Sequence, residues 1–155
     1  MPSDMADHTS IIVRLARHTD AGSIAVLTTH LGYPTTPEQA VGRLNRVLQS
    51  VEDAVYVAVA PDGAVVGWVH AALRELVMSG PFAQLEGLVV DVAWQGHGIG
   101  GRLVAAAEAW ALARGCRAIR VRSNVVRTAA HRFNEGLGYQ IVKQQVAYRK
   151  DLERP

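Results

Sequence analysis

Leu88-Val89-Val90-Asp91-Val92-Ala93-Trp94-Gln95-Gly96-His97-Gly98-Ile99-Gly100-Gly101 decides how this chain folds. An apolar strand runs into four glycines within six residues, and an alanine-rich helix follows at once. Glycine removes the Cβ where a backbone must come close to a ligand. The first turn of a helix leaves N–H groups without intrahelical acceptors, and its dipole favours an anion in front of it. The stretch therefore predicts a phosphate cradle, with backbone amides of Gln95, Gly96, His97, Gly98, Ile99, Gly100 and Gly101 reaching two phosphates.

Two parses of the glycines compete. Gly96, Gly98 and Gly101 satisfy G-x-G-x-x-G, the dinucleotide fingerprint. That fingerprint needs an acid about 20 positions on to hold a ribose hydroxyl. Arg117-Ala118-Ile119-Arg120-Val121-Arg122 offers only arginines, and too few residues remain downstream for further βαβ units. The second parse, Gln95-x-x-Gly98-x-Gly100, resembles the acetyl-CoA motif of the GNAT superfamily of N-acetyltransferases. Asn124, after the next strand, and Ala130-His131-Arg132-Phe133-Asn134-Glu135-Gly136-Leu137-Gly138-Tyr139 resemble that family's second block. The two blocks span residues 85 to 142. The resemblance implies an α/β fold with a mixed, mostly antiparallel sheet, splayed between strands 4 and 5 and flanked by about four helices.

The bulk properties agree with one domain over residues 11–155 behind a flexible tail, residues 1–10. Apolar residues make up 49% and charged residues 19%, and no stretch approaches the length of a membrane span. Met1 to Ser10 lacks the basic start and apolar core of a signal peptide, and the single cysteine, Cys116, suits a reducing cytoplasm. Charge is uneven. Residues 1–91 hold ten acids and five bases, whereas residues 92–155 hold eleven bases and four acids. A basic C-terminal half suits a polyanionic cofactor, and an acidic N-terminal half suits a cationic amine. No lysine-rich run or aromatic stacking surface accompanies the arginines, which argues against nucleic acid.

Periodicity predicts a strand at Ile11–Leu15, a helix from Thr19-Asp20 to Leu31, and a second helix from Pro37 to about Ser50. Thr36-Pro37-Glu38-Gln39 reads as the capping box of that second helix. Strands follow at Ala54–Ala60, Val65–Leu73 and Ala83–Val90, the first two joined by a turn at Pro61-Asp62-Gly63. A third helix spans Gly98 to Arg114, with Ile99, Leu103, Ala107, Trp110 and Ala111 on one face. Arg117–Ser123 reads as a strand, Arg127–Leu137 as a helix, and Tyr139–Val142 and Gln144–Lys150 as closing strands.

Acetyl transfer to an amine demands a held diphosphate, a positioned carbonyl, a neutral amine and a thiolate that can leave. By resemblance, Leu88, Val89 and Val90 offer main-chain groups to pantetheine and one N–H to the thioester carbonyl. Glu86, the one acid on that strand, is the candidate general base, and burial beside Leu85 and Leu88 is expected to tune it. His70 is a second candidate base. Many relatives read Phe-Tyr-Glu where this chain reads Phe133-Asn134-Glu135, so an amide replaces the tyrosine that protonates the thiolate. Asn134 can still donate a hydrogen bond to sulfur. Asn124 is expected to hold the pantetheine amides, with Arg127 and His131 near the 3′-phosphate side. Tyr33, Trp68, His70 and Glu86 are expected to wall the acceptor pocket.

The expectation is thus an acetyl-CoA-dependent transferase acting on a small-molecule amine by direct attack in a ternary complex, without a metal. Two alternatives are a non-catalytic acyl-CoA sensor, favoured by Asn134, and an acetyltransferase of proteins or peptides. A C-terminal strand with an exposed edge leaves a homodimer open.

Overall fold

The computed structural model describes residues 10–123 and 126–154. They form two compact units, one reaching to Arg122 and one beginning at Ser123.

The first unit begins with an edge strand, β1 (Ile12–Leu15), and a short 3-10 turn, His18–Asp20. The turn leads into α1 (Ala21–His30). Asp20 is the anchor here. Its carboxylate accepts from the Arg14 guanidinium at 2.8 and 3.0 Å and from the Arg17 N–H at 2.7 Å. α2 (Pro37–Gln49) starts as its sequence demands: Thr36 Oγ1 accepts from Gln39 N–H, and Gln39 Oε1 accepts from Thr36 N–H. β2 (Asp53–Val59) and β3 (Val65–Leu76) form a hairpin whose turn places Gly63 at φ +89°, a conformation glycine adopts without strain. β4 (Ser79–Val90) returns antiparallel to β3, and α3 (Ile99–Ala113) leads to β5 (Ile119–Val121).

The five strands lie in sequence order, antiparallel except for the last pair. β5 meets β4 in parallel over only Ala83–Leu85, so beyond Leu85 no described strand pairs with that edge of β4. The expected splay is this bare edge.

Alternation along β3 sorts the two faces of the sheet. Trp68 packs with Ala21, Ala25, Ala40 and Leu44 beneath α1 and α2, whereas Leu73 packs with Ala111 and Cys116 beneath α3. The α3 stripe read from sequence is buried: Ile99, Leu103, Ala107 and Ala111 are all under 5% exposed, and Trp110 is half-buried against Ala83. Cys116 is buried too, as a small apolar residue behind the helix.

The second unit holds α4 (Thr128–Gly136). Its end is closed by Gly138 at φ +91° and by the Tyr139 N–H, which donates to Asn134 O at 3.0 Å. The strands expected at Tyr139–Val142 and Gln144–Lys150 are absent: residues 139–154 adopt no regular structure. Ile141, Val142, Val146 and Tyr148 are exposed. Their alternation fits a half-buried pleated surface, but a strand also needs a neighbour to complete its ladder, and no described strand supplies one.

Candidate active site

The glycine loop joins the end of β4 to the start of α3. Asp91 Oδ1 accepts from Ala93 N–H at 2.9 Å and starts a 3-10 turn, Val92–Trp94, that swings the chain off β4. Gln95 Nε2 donates back to Val90 O at 3.1 Å and ties the loop to the strand end. Gly96 and Gly98 take φ +83° and +78°, and a Cβ built on either meets no protein atom within 4 Å. Gly98 caps α3 without a side-chain hydrogen bond. The N–H groups of Ile99, Gly100 and Gly101 occupy the helix's first turn, where no intrahelical acceptor exists. Open space before bare amides at a helix N-terminus fits a diphosphate.

The bare edge of β4 leads to this cradle. Asp91 N–H donates to Val66 O at 2.8 Å, and antiparallel bonding alternates, so Val89 turns its main chain to β3. A Cβ on Gly67 of β3 would indeed sit 3.0 Å from Val89 O. Leu88 and Val90 consequently aim their N–H and C=O groups at the open edge, where Gln95 already takes the Val90 carbonyl. Of the three residues expected to serve pantetheine, Leu88 and Val90 are the ones whose main chain faces that edge. Val89 belongs to the β3 ladder.

Register places the acceptor-side residues. His70 pairs with Gly87, and Ala71 pairs with Leu85, which leaves Glu86 as the extra residue of a β-bulge. Bulges re-aim side chains and recur beside active sites. The burial expected for Glu86 among apolar neighbours is not what forms. Its side chain is 25% exposed, and Oε1 accepts from Arg74 Nη2 at 2.8 Å, because the bulge turns it across the sheet toward β3. That carboxylate holds the Arg74 proton more tightly than usual, with Asp53 and Glu52 adding to the effect.

Trp68 is a core residue with one edge at the site. It packs under α1 and α2, and its indole N–H is buried with no acceptor among the described residues. A Cβ on Gly87 would fall 2.7 Å from Trp68 Cη2, so the bare Gly87 is what admits the ring. His70 Nε2 lies 2.7 Å from Asp53 Oδ1, both half-buried. Tyr33 is exposed in the loop after α1, its N–H donating to Thr28 O. On the same face, the buried Gln84 amide oxygen, oriented to suit its neighbours, accepts from Arg122 at 2.6 Å.

Asp53, Arg74 and Gly87 escaped the sequence reading, because their roles depend on a register that the Glu86 bulge shifts. Arg127, His131 and Asn134 lie in the second unit, where Arg127 caps α4 and Asn134 sits on it. Asn124 falls outside the described residues. No helix among them is long and apolar enough to cross a membrane, and no His, Cys, Asp and Glu side chains gather as a metal site.

Comparison with known proteins gives the same picture. Residues 21–139 match the acetyltransferase (GNAT) family. Aminoglycoside N(6′)-acetyltransferase type 1 of Stenotrophomonas maltophilia is 34% identical over 145 residues, covering 91% of this chain and 94% of that one. Two solved structures share the fold. AAC(6′)-Iy in complex with a bisubstrate analogue, CoA-S-monomethyl-acetylneamine, superposes with a TM-score of 0.83 at 23% identity, over 92% of this chain and 99% of that one. The aminoglycoside 6′-N-acetyltransferase AAC(6′)-Ih of Acinetobacter baumannii gives 0.82 at 17% identity, over 93% and 100%.

The mixed sheet with its bare β4 edge is the fold those two structures share. This chain belongs to the acetyltransferase (GNAT) family. It is an acetyl-CoA-dependent N-acetyltransferase acting on a small-molecule amine.

Proposed function

We propose that the acceptor is an aminoglycoside and that the acetyl group goes to its 6′-amine. The observation that carries this is the 34% identity to the Stenotrophomonas enzyme along nearly the whole of both chains. Chemistry on the α1–α2 side of the sheet supports it. Glu52, Asp53 and Glu86 gather around the Arg74 guanidinium, which puts three acidic groups where an ammonium can meet them.

In this reading the first-turn amides of α3 take the diphosphate, and the open-edge groups of Leu88 and Val90 take pantetheine. The Leu88 N–H is the donor to the thioester oxygen; losing such a donor typically raises a barrier by about 2.7–4 kcal/mol. Glu86 meets the acceptor ammonium. Attack is direct, since among the described residues the one cysteine, Cys116, is buried beyond the far end of α3, a helix about 22 Å long. For Asn134, Arg127, His131 and Asn124, the assignments to donor sulfur, phosphate and pantetheine rest on the sequence resemblance alone. The enzyme works in the cytoplasm, where acetyl-CoA is made; a homodimer is the oligomeric state to test.

The test is thiol release from acetyl-CoA against a panel of amines, with products identified by mass spectrometry. Aminoglycosides bearing a 6′-amine should gain one acetyl group, and counterparts with a 6′-hydroxyl should not. Turnover of another amine class, with 6′-amino aminoglycosides inert, overturns the assignment.

A further inference from the structure

We propose that Asp53 and His70 form the proton-accepting pair of the acetyl transfer, with Asp53 positioning the imidazole and His70 taking the proton that the acceptor ammonium must lose. The inference rests on the reading of the acceptor as a cationic amine on the α1–α2 side of the sheet.

The pair arises from the sheet register. Asp53 opens β2, and His70 lies on β3 opposite Val55, so the two are diagonal neighbours on one face. Their contact, at 2.7 Å, joins the His70 imidazole to the Asp53 carboxylate. A carboxylate can only accept, so Nε2 carries the hydrogen and the lone pair of neutral imidazole is fixed on Nδ1. About a quarter of each side chain remains exposed, enough for a ligand to reach and little enough to hold the ring still.

His70 also sits at the right place along the sheet. It pairs with Gly87, between the bulged Glu86 and Leu88, whose N–H faces the open edge. Glu86 is already bound to Arg74. His70 therefore offers a lone pair beside the reaction centre that no cation holds. The charges around it are Asp53 on β2, Glu52 just before it, Arg74 on β3, Glu86 on β4 and Arg122 after β5. α1 contributes only His30, in its last turn, and α2 contributes Glu38, Arg43 and Arg46.

The step balances as follows. One ammonium N–H bond breaks and an Nδ1–H bond forms, giving an imidazolium that the Asp53 carboxylate stabilises. The freed amine lone pair bonds to the acetyl carbon, and the C–S bond breaks with its electrons leaving on sulfur. The second proton shed by nitrogen goes to the thiolate through water, and His70 returns its proton to solvent.

The experiment measures pH profiles of kcat/KM by thiol release for wild type, Asp53→Asn, Asp53→Glu and His70→Gln. Any amine of the panel that is turned over serves as acceptor, so failure of the aminoglycoside assignment leaves this test intact. We expect His70→Gln to lower kcat/KM about a hundredfold or more and to abolish the acidic limb. Asp53→Asn should lower kcat/KM about tenfold, with KM for acetyl-CoA unchanged, and Asp53→Glu should restore it in part. Imidazole 15N NMR of the free enzyme supplies a second readout: Nδ1 should be the unprotonated nitrogen in wild type, with the tautomers mixed in Asp53→Asn. An acidic limb unmoved in His70→Gln, or an NMR tautomer indifferent to Asp53, overturns the proposal.

Discussion

Arg74 and Glu86 meet at 2.8 Å at the point where β3 and β4 fall out of register. The pair spans a bulge, and half of the arginine side chain is exposed to water. Ion pairs this open contribute at most about 1 kcal/mol. A substrate ammonium can exchange for such a guanidinium. With the proposed acceptor, Arg74→Gln should lower KM by up to about fivefold while Glu86→Gln raises it. Steady-state kinetics on the two variants reads both; a higher KM in Arg74→Gln would show that Arg74 orients Glu86 rather than standing in for substrate.

Gly87 and Trp68 form a second coupled pair. A methyl on Gly87 collides with the indole edge at 2.7 and 2.8 Å, and the ring is packed beneath α1 and α2. Gly87→Ala should destabilise the protein by about 1–3 kcal/mol through overpacking. Trp68→Phe leaves a cavity of its own, yet it removes the colliding edge. The double variant should therefore lose less than the sum of the singles in urea titrations, and strict additivity would place the strain elsewhere.

The cradle makes a prediction that separates strain from ligand. Gly98→Ala meets no protein atom but must adopt φ +78°, so stability should fall by about 1–2 kcal/mol. Acetyl-CoA affinity, read by calorimetry at a temperature where the variant is folded, should fall tenfold or more, because the methyl enters the space the diphosphate is proposed to use. Retained affinity would move the phosphates away from this loop.

Asp20 sets a pH dependence. Burial pushes its carboxyl up, but the hydrogen bonds from Arg14 and from the Arg17 N–H outweigh this and hold it below the usual carboxylate range. A group depressed in the folded state stabilises above its unfolded value, about 3.9, and loses that effect as pH falls through the folded value. Asp20→Asn should cost about 2 kcal/mol at neutral pH, and its gap to wild type should close as pH drops below about 4. A gap independent of pH in chemical denaturation would assign the loss to packing.

What the sequence disclosed depended on the range of the interaction. The Thr36–Gln39 capping box and the buried α3 stripe are settled within a few residues, and each forms as read. Asp53–His70 and Arg74–Glu86 are settled by strand register. One inserted residue at Glu86 shifts every pairing toward the hairpin tip, and alternation cannot reveal that shift. The closing strands failed for a related reason: apolar alternation in residues 139–150 describes a surface a strand would need, without the partner that makes it one.

The three-residue parallel contact between β4 and β5 has a further consequence. On the proposed binding mode, pantetheine, with its two amides, completes the sheet like a short borrowed strand. Its recognition is then written in peptide groups that every amino acid carries. Side chains on β4 are free to drift and retune the choice of acceptor while the grip on the acetyl donor stays the same. A new range of acceptor amines can then arise on this strand without relearning how to hold coenzyme A.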